Sequence, residues 1–198
     1  MPPKNRFTRE EILDAALELV RAQGIDALSA RSLAEALGSS PKPIFGYFSG
    51  MEELRRAVLC AAYECYQRVL HEQMAEGRFP PYTASGMAYI LFAREERELF
   101  KLLFMRDRSR EREEDKPNDG ELEELLALVS KNVGISREEA FFFHMEQWVY
   151  VHGIASMIAT SYLDWDMEFV SRALSDCYLG LKYRYTAGKT EENGNGSH

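Results

Sequence analysis

The sequence has little cysteine, and its one long apolar run contains ionisable groups. Cys60, Cys65 and Cys177 are odd in number and lack metal or redox spacing, which argues against a disulfide framework and fits a reducing compartment. Residues 141–159 form the apolar run, but Glu146 lies within it, and a mid-membrane carboxylate costs about 2.5–3.5 kcal/mol. The run is therefore predicted to be a buried helix rather than a membrane span.

Signatures of catalysis, secretion and sheet structure are lacking as well. No Ser-His-Asp order, glycine-rich phosphate loop or paired-carboxylate spacing stands out, so we expect no enzyme activity and no cofactor. His144 and His152 lack a carboxylate or cysteine at metal spacing, so no metal site is predicted; an all-helical enzyme using either histidine as a base is the least favoured alternative. The absence of a basic and apolar leader predicts a cytoplasmic protein. No strand pattern exceeds a few residues.

Helical signals run through nearly the whole chain instead. Apolar residues recur at helical spacing, and glycines follow several of the predicted helix ends. A serine or threonine followed three residues later by glutamate indicates a capping box at three helix starts. The three pairs are Thr8 with Glu11, Ser49 with Glu52, and Ser136 with Glu139. Together these signals predict an all-α protein with about nine helices.

The charge is unevenly distributed along the chain. Residues 1–60 hold eight basic and eight acidic side chains, so the whole net charge of -8 lies beyond residue 60. A neutral first part led by Lys4, Arg6 and Arg9 can approach phosphates, whereas the acidic remainder is kept away from a duplex. Residues 106–120 hold eleven charged side chains and no apolar face, which predicts a mobile loop rather than a nucleic-acid contact.

Residues 29–48 have the pattern of a helix-turn-helix. Ser29 is suited to cap a first short helix, which stops at Gly38, a residue tolerant of left-handed backbone. Ser40 can cap a second short helix, whose predicted apolar side consists of Ile44, Phe45 and Phe48. Helical hairpins with a glycine turn also occur as structural corners. Two short helices of this kind are nevertheless what docking into the major groove of DNA requires.

Longer strings extend this pattern. Gly38-x-Ser-x-x-x-Ile-Phe-x-Tyr47-Phe48 is followed by Glu52-Glu-Leu, and further on stand Phe92-Ala-x5-Leu99-Phe100-x-Leu102-x-Phe104 and Trp148-x3-His152-Gly153. The first string resembles the TetR family of bacterial regulators, of AcrR-like type, in which a Tyr-x-Tyr-Phe pattern leads into a long fourth helix. The later strings resemble the ligand domain of that family named for its Trp-His-Gly (WHG) motif. The likeness covers about residues 7–185.

Two sets of candidate functional residues follow, the first from the resemblance and the second from apolar and aromatic residue types. Contacts with DNA phosphates or base edges are implied for Ser29, Arg31, Ser40 and Tyr47, and base reading for Lys42 and Pro43. Hydroxyl groups suit phosphate oxygens, and Arg31 can also pair with guanine. A second set is a candidate lining for an apolar effector cavity, with ordinary packing as the alternative for each member and for Tyr47. This second set is Tyr89, Phe92, Phe104, Phe142, Met145, Trp148 and His152.

Three residues depart from the family pattern. Pro41 and Pro43 lack N–H groups that a phosphate could use, and Met51 stands where the family has a phosphate-contacting lysine. We therefore expect weak non-specific affinity for DNA. The same departures support an alternative function, a helical small-molecule-binding protein that has lost DNA binding.

The resemblance implies a homodimeric repressor that binds a palindromic operator in double-stranded DNA and is released by a small apolar or aromatic effector. The predicted domains are a helix-turn-helix domain in residues 1–52, a ligand-binding and dimerisation domain in 53–185, and a disordered tail in 186–198. Residues 140–160 and 167–185 carry more apolar surface than one face of a monomer helix needs. We expect them to form the dimer interface, with core packing as the alternative.

Overall fold

The structure, a computed structural model, describes residues 7–107, 109 and 120–194. These residues form eight α-helices and two 3-10 turns and contain no strand, which confirms the predicted all-α class. The α-helices in chain order are α1 (Arg9–Gln23), α2 (Ala30–Ala36), α3 (Met51–Ala75), α4 (Pro81–Glu95), α5 (Arg97–Phe104), α6 (Gly120–Val133), α7 (Arg137–Ala159) and α8 (Met167–Gly194). The 3-10 turns are Ile25–Ala27 and Ile44–Gly46.

Local capping explains where α1 and α7 begin. In α1 the Glu11 N–H donates to the Thr8 hydroxyl (3.1 Å), and the Thr8 N–H donates to the Glu11 carboxylate (2.7 Å). The same reciprocal pair of bonds links Ser136 and Glu139 at the start of α7. Each box satisfies two backbone donors that have no partner within the helix. Both predicted boxes are confirmed.

The bond predicted at the start of α3 has a different acceptor. The Ser49 N–H donates to the carboxylate of Glu53 at 2.7 Å, and not to the predicted Glu52. Because the helix begins at Met51, Glu53 is its third residue, the position from which a carboxylate reaches back to the preceding chain. This hydrogen bond holds the pKa of Glu53 below its ordinary value.

The second helix predicted for the helix-turn-helix is wrong as an α-helix. Only the 3-10 turn Ile44–Gly46 forms there, and its first and last N–H groups donate to the carbonyls of Pro41 and Pro43 (3.1 and 3.2 Å). Pro43, rather than the predicted Ser40, immediately precedes the turn. Proline lacks an N–H and disfavours helical backbone in the residue before it, so few residues are left for an α-helix. Because this α-helix is absent, the described residues contain eight α-helices where about nine were predicted.

The described residues pack as two compact units. The first unit contains residues up to 69 together with 92–106, so α5 packs with the N-terminal helices. Its Arg21 Nε donates to the Glu96 carboxylate at 2.7 Å, which ties α1 to the residue preceding α5. The buried side chains of this unit include Ile12, Val20, Leu33, Phe48, Leu54 and Phe100. The predicted domain boundary at residue 52 lies within α3 and stays a prediction.

The second unit contains residues 70–91 and those from 107 onward. Here α6, α7 and α8 pack against one another. One buried cluster joins them to the start of α4, and it consists of Tyr82, Val129, Val133, Ile135, Ala140 and Phe143. Among the described helices, none has the length and apolar character needed to cross a membrane.

Some sequence predictions fall on residues that the structure describes only in part. The predicted mobile loop of residues 106–120 lies mostly outside the described residues, as do Lys4 and Arg6. Helix α8 extends as far as Gly194, residues 195–198 lie outside the described residues, and the disordered tail predicted for 186–198 stays a prediction. The Thr186 hydroxyl donates to the Lys182 carbonyl one turn earlier (2.9 Å), a side-chain bond that threonine can make within a helix.

Gly38 closes α2 in the predicted left-handed conformation. Its φ is 56°, and its N–H donates to the Glu35 carbonyl at 3.0 Å. The following N–H, that of Ser39, donates to the Ala34 carbonyl at 2.9 Å. This pair of bonds satisfies carbonyls that the helix itself cannot, and it turns the chain toward residues 40–48.

We predict that Gly38→Ala lowers the free energy of unfolding by about 1 kcal/mol, because a Cβ is strained at positive φ. Thermal melting followed by circular dichroism should show a Tm about 2–4 °C lower. Gly50→Ala is the matched control, since a Cβ at either glycine would have no described atom within 4 Å and only Gly38 has positive φ. An equal loss of Tm in both variants would contradict the prediction.

Candidate nucleic-acid interface and aromatic site

The first half of the helix-turn-helix is held by two serines. The Ser29 hydroxyl accepts from the Ser32 N–H (3.1 Å), and the Ser32 hydroxyl accepts from the Ser29 N–H (3.0 Å). Ser32 also donates to the Ala27 carbonyl at 2.6 Å, which fixes the chain entering α2. These hydrogen bonds fix the conformation of the backbone at the start of α2.

The predicted DNA-contacting residues lie on this short segment with different exposures. Ser29, Arg31, Ser40 and Lys42 are exposed, and they combine two hydroxyl groups with two cations. Pro43 is half-buried, and so is Tyr47. Hydroxyl and cationic groups of this kind are suited to phosphate oxygens and to base edges. Their assignment to DNA contacts stays a prediction.

Tyr47 makes a contact that sequence reasoning missed. Its hydroxyl donates to the backbone carbonyl of Phe7 at 2.9 Å. The two residues are far apart in the chain, and no local pattern signals such a bond. Since the phenol has one proton, donation to a phosphate would require this bond to open. Through this hydrogen bond Tyr47, which follows the 3-10 turn, connects the turn to Phe7 at the start of the described chain.

Phe45 lies on the surface, and its predicted place on the apolar side is wrong. Its side chain is 49% exposed, whereas Ile44 and Phe48 are each 1% exposed. In a 3-10 turn each residue advances by a third of a turn, so a neighbour of a buried residue is rotated away from the core. The predicted α-helix would have placed all three side chains on a shared face.

Three of the predicted cavity residues are close together in the second unit. The Tyr89 hydroxyl lies 2.9 Å from His152 Nδ1. The indole of Trp148 stacks on the same imidazole with ring centroids 4.9 Å apart and planes inclined by 15°. Burial lowers the pKa of His152, which favours the neutral ring. A neutral imidazole can accept a hydrogen bond from the phenol O–H at Nδ1 and carry its own proton on Nε2.

The other predicted cavity residues belong elsewhere. Phe92 is fully buried in the first unit, where Phe92 and Phe104 both meet the ring of Tyr66 edge-on, with centroids 5.5 and 5.2 Å apart. Phe142 is 55% exposed on α7, and Met145 is half-buried. The seven residues are thus divided between the cores of two units and the surface, and a common effector cavity stays a prediction.

A second tyrosine and histidine pair repeats the first. The Tyr82 hydroxyl lies 3.1 Å from His144 Nδ1. Burial lowers the pKa of His144 and raises that of Tyr82, so both groups are neutral near pH 7. The two tyrosines are seven residues apart on α4, and the two histidines are eight residues apart on α7. Both pairs therefore lie along the contact between these two helices. The sequence singles out both histidines but does not predict that tyrosines of α4 are their partners.

Apolar side chains cover an exposed surface of α7 and α8. Tyr183 is 75% exposed and Leu179 is 60% exposed. Other exposed apolar residues of these helices are Phe141, Phe142, Trp148, Val149, Tyr150, Met157 and Phe169. An ion pair between Glu146 and Arg184 adds a polar contact between the two helices. Exposed apolar side chains that form a contiguous patch mark surfaces that another protein chain covers.

Comparison with known protein families gives one match in the N-terminal part of the chain and one in the C-terminal part. The family model described as "Bacterial regulatory proteins, tetR family" matches residues 12–58, which include the whole helix-turn-helix segment. The model described as "Tetracyclin repressor-like, C-terminal domain" matches residues 82–176.

Individual proteins show the same likeness. An uncharacterized HTH-type transcriptional regulator of Mycobacterium tuberculosis is 25% identical over 93% of this chain and 86% of its own length. The HTH-type transcriptional regulator TcmR of Streptomyces glaucescens is 32% identical over 42% of this chain and 36% of its own length. A solved structure of a TetR family member from Streptomyces coelicolor A3 has the same fold, with a TM-score of 0.58 and 21% identity, over 88% of this chain and 98% of that one.

The half-buried side chain of His144 predicts a pH dependence of stability. Because the pKa of His144 is lower in the folded chain than in the unfolded chain, unfolding takes up a proton as the pH falls below about 6.5. The stabilisation from neutral His144 is thus present above about pH 6.5 and is lost below it. We predict that His144→Gln, which does not titrate, loses less stability than the unchanged protein between pH 7.5 and 5.5.

Urea unfolding at the two pH values measures this difference. His71→Gln is the matched control, because His71 is an exposed histidine on α3. The control should keep the pH dependence of the unchanged protein. A His144→Gln variant with that same dependence would contradict the prediction.

Proposed function

This chain belongs to the TetR family of bacterial regulatory proteins, and we propose that it acts as a homodimeric repressor of transcription. The repressor binds a palindromic operator and is released from it by a small apolar or aromatic effector. It works in the cytoplasm by binding and not by catalysis. The observation that carries the proposal is the exposed set of hydroxyl and cationic side chains on the helix-turn-helix segment within the matched residues 12–58.

Each exposed residue of the helix-turn-helix has a proposed role. Ser29 and Ser40 donate to phosphate oxygens and fix the register of the protein on the duplex. Lys42, the one charged residue between Gly38 and Gly50, reads a guanine edge, and Arg31 holds a phosphate or a second guanine. The half-buried residues Pro43 and Tyr47 border the same contact.

The exposed apolar surface of α7 and α8 supports the homodimer. A two-fold interface is formed by the same surface of both copies, so one chain with two adjacent apolar helices has what a four-helix interface needs. Dimerisation sets the distance between the two helix-turn-helix segments. That distance has to be about 34–36 Å for both to reach successive major grooves.

The effector site is proposed around Tyr89, Trp148 and His152, with Phe142 and Met145 on the same helix as the latter two. Stacked aromatic rings beside a neutral hydrogen-bonding pair suit a mainly apolar ligand with few polar groups. Assignment of this region to the Trp-His-Gly branch of the family is part of the same proposal. An effector releases DNA to the extent that it prefers the conformation that does not bind DNA.

The first test is fluorescence anisotropy with the DNA upstream of the protein's own gene, an unrelated duplex as control, and two salt concentrations. Tight binding to the upstream DNA alone supports a specific regulator, and candidate effectors should then release it. Equal and equally salt-dependent binding to both duplexes, followed by a failed selection from random DNA, would contradict the proposal. The alternative of a small-molecule-binding protein without DNA binding, which the reduced second helix favours, would then stand.

We predict that Lys42→Ala and Tyr47→Phe affect DNA binding differently. Lys42→Ala should weaken operator binding about tenfold and change the preferred base pairs, because it removes a base-reading donor. Tyr47→Phe should weaken binding to all duplexes alike, because it removes the bond to Phe7 and a hydroxyl that could donate to phosphate. Anisotropy against a panel of operator variants measures both effects. Lys131→Ala, at an exposed lysine of α6, is the control, and sequence-blind losses in both variants would oppose these roles.

A charge on the apolar surface of α7 and α8 should prevent dimerisation. Leu179→Glu would place a carboxylate in the interface, where burying it without a partner is costly. We predict a monomer in sedimentation velocity and a loss of affinity for the palindromic operator. Met105→Glu is the matched control, because Met105 is exposed outside α7 and α8 and should leave the dimer intact. A dimeric Leu179→Glu protein would refute this interface.

A further inference from the structure

Phe45 and Gly46 are adjacent residues whose identities the fold itself does not explain. Phe45 projects from the 3-10 turn with 49% of its surface exposed. Among the described residues of the first unit, large apolar side chains exposed to this degree are Phe45 and Met105. A single exposed apolar residue is common on proteins, so the position of Phe45 within the helix-turn-helix carries the argument.

Gly46 has no conformational need to be glycine. Its φ does not lie in the left-handed region, unlike that of Gly38. A Cβ built at Gly46 would have no described atom within 4 Å. Glycine is entropically unfavourable in the folded chain, so an alanine would be tolerated or preferred by the fold alone. What glycine does provide is open space beside the exposed ring, which allows another molecule to approach the backbone.

The surrounding groups indicate what that molecule is. Lys42, Ser40 and Arg31 are exposed on the same helix-turn-helix and carry donors suited to phosphates and base edges. A phenyl ring has no donor or acceptor for base edges, but the major groove offers one apolar group, the C5 methyl of thymine. We infer that Phe45 reads a thymine methyl, with Gly46 leaving room for that base pair. This inference rests on the proposed DNA binding and names one of its specificity determinants.

The test replaces thymine by uracil, which removes only the methyl group. In a duplex that the unchanged protein selects from random DNA, each thymine of one half-site is replaced in turn, and affinity is measured by anisotropy. We expect one thymine at which uracil weakens binding about fourfold, the effect of one methyl group at about 0.8 kcal/mol. Replacements at the other thymines should have smaller effects.

Variants then assign the effect to Phe45. Phe45→Ala should remove the uracil penalty at that position, and Phe45→Leu, which keeps an apolar side chain, should retain part of it. Met105→Ala is the matched control, because it removes a similarly exposed apolar side chain from the same unit. Its uracil penalty should equal that of the unchanged protein. Circular dichroism melting checks that the variants are folded.

Gly46→Ala gives an independent readout. We expect it to melt at or above the temperature of the unchanged protein and to lose affinity for the selected duplex. Gly50→Ala is its control, since Gly50 also has no described atom near a Cβ position and no left-handed φ, but it lies outside the turn. Full affinity in Gly46→Ala would mean that no base pair occupies that space, which overturns the inference.

The outcomes separate this inference from the proposed function. Specific binding together with a uracil penalty that depends on Phe45 supports both. Specific binding without a methyl-sensitive thymine, or with a penalty that survives in Phe45→Ala, overturns the inference and leaves the regulator intact. If the protein selects no duplex from random DNA, both the inference about Phe45 and the proposed DNA-binding function are overturned. The selection itself reveals this outcome before any variant is made.

Discussion

The backbone between Gly38 and Gly46 is the constraint on which the proposed DNA surface depends. Gly38 turns the chain with a φ of 56°, and Pro41 and Pro43 each fix one backbone angle soon afterwards. Their carbonyls accept the N–H groups of the 3-10 turn, so the segment is ordered although it lacks the length of an α-helix. The side chains between the two glycines are therefore presented by turn geometry. This is why Ile44 is buried while its neighbour Phe45 faces outward.

Features that depend on residues close in the chain could be predicted from the sequence. The caps at Thr8 and Ser136 and the left-handed turn at Gly38 involve partners within five residues, and all three are present. The 3-10 turn shows the limit of that reasoning, because two prolines outweighed an otherwise helical pattern. Contacts between distant segments, such as that of Tyr47 with Phe7, follow from the packing of helices and leave no trace in local spacing.

Aromatic residues illustrate the same limit for the candidate effector site. Phe92 and Phe142 are chemically identical in the sequence, yet one is fully buried and the other is mostly exposed. Periodicity could not separate them, because α7 is apolar on more than one side. In this structure one side of α7 packs in the core while other apolar residues of the same helix are exposed. Only the tertiary structure shows that Tyr89, Trp148 and His152 meet, since their contact depends on how α4 lies against α7.

The charge of the N-terminal part bears on how the proposed DNA binding would divide between phosphate contacts and base contacts. Residues 1–60 have no net charge, and part of their cationic capacity is used internally. The guanidinium of Arg9 lies 4.8 Å from the centre of the Phe48 ring, and Arg55 donates to the Leu28 carbonyl at 3.3 Å. Phosphate contacts contribute most of non-specific affinity and of its salt dependence, so a surface with few available cations binds random DNA weakly. Under the proposed DNA binding, discrimination then comes from base edges, with Lys42 proposed to read guanine by hydrogen bonding and Phe45 inferred to read thymine by apolar contact.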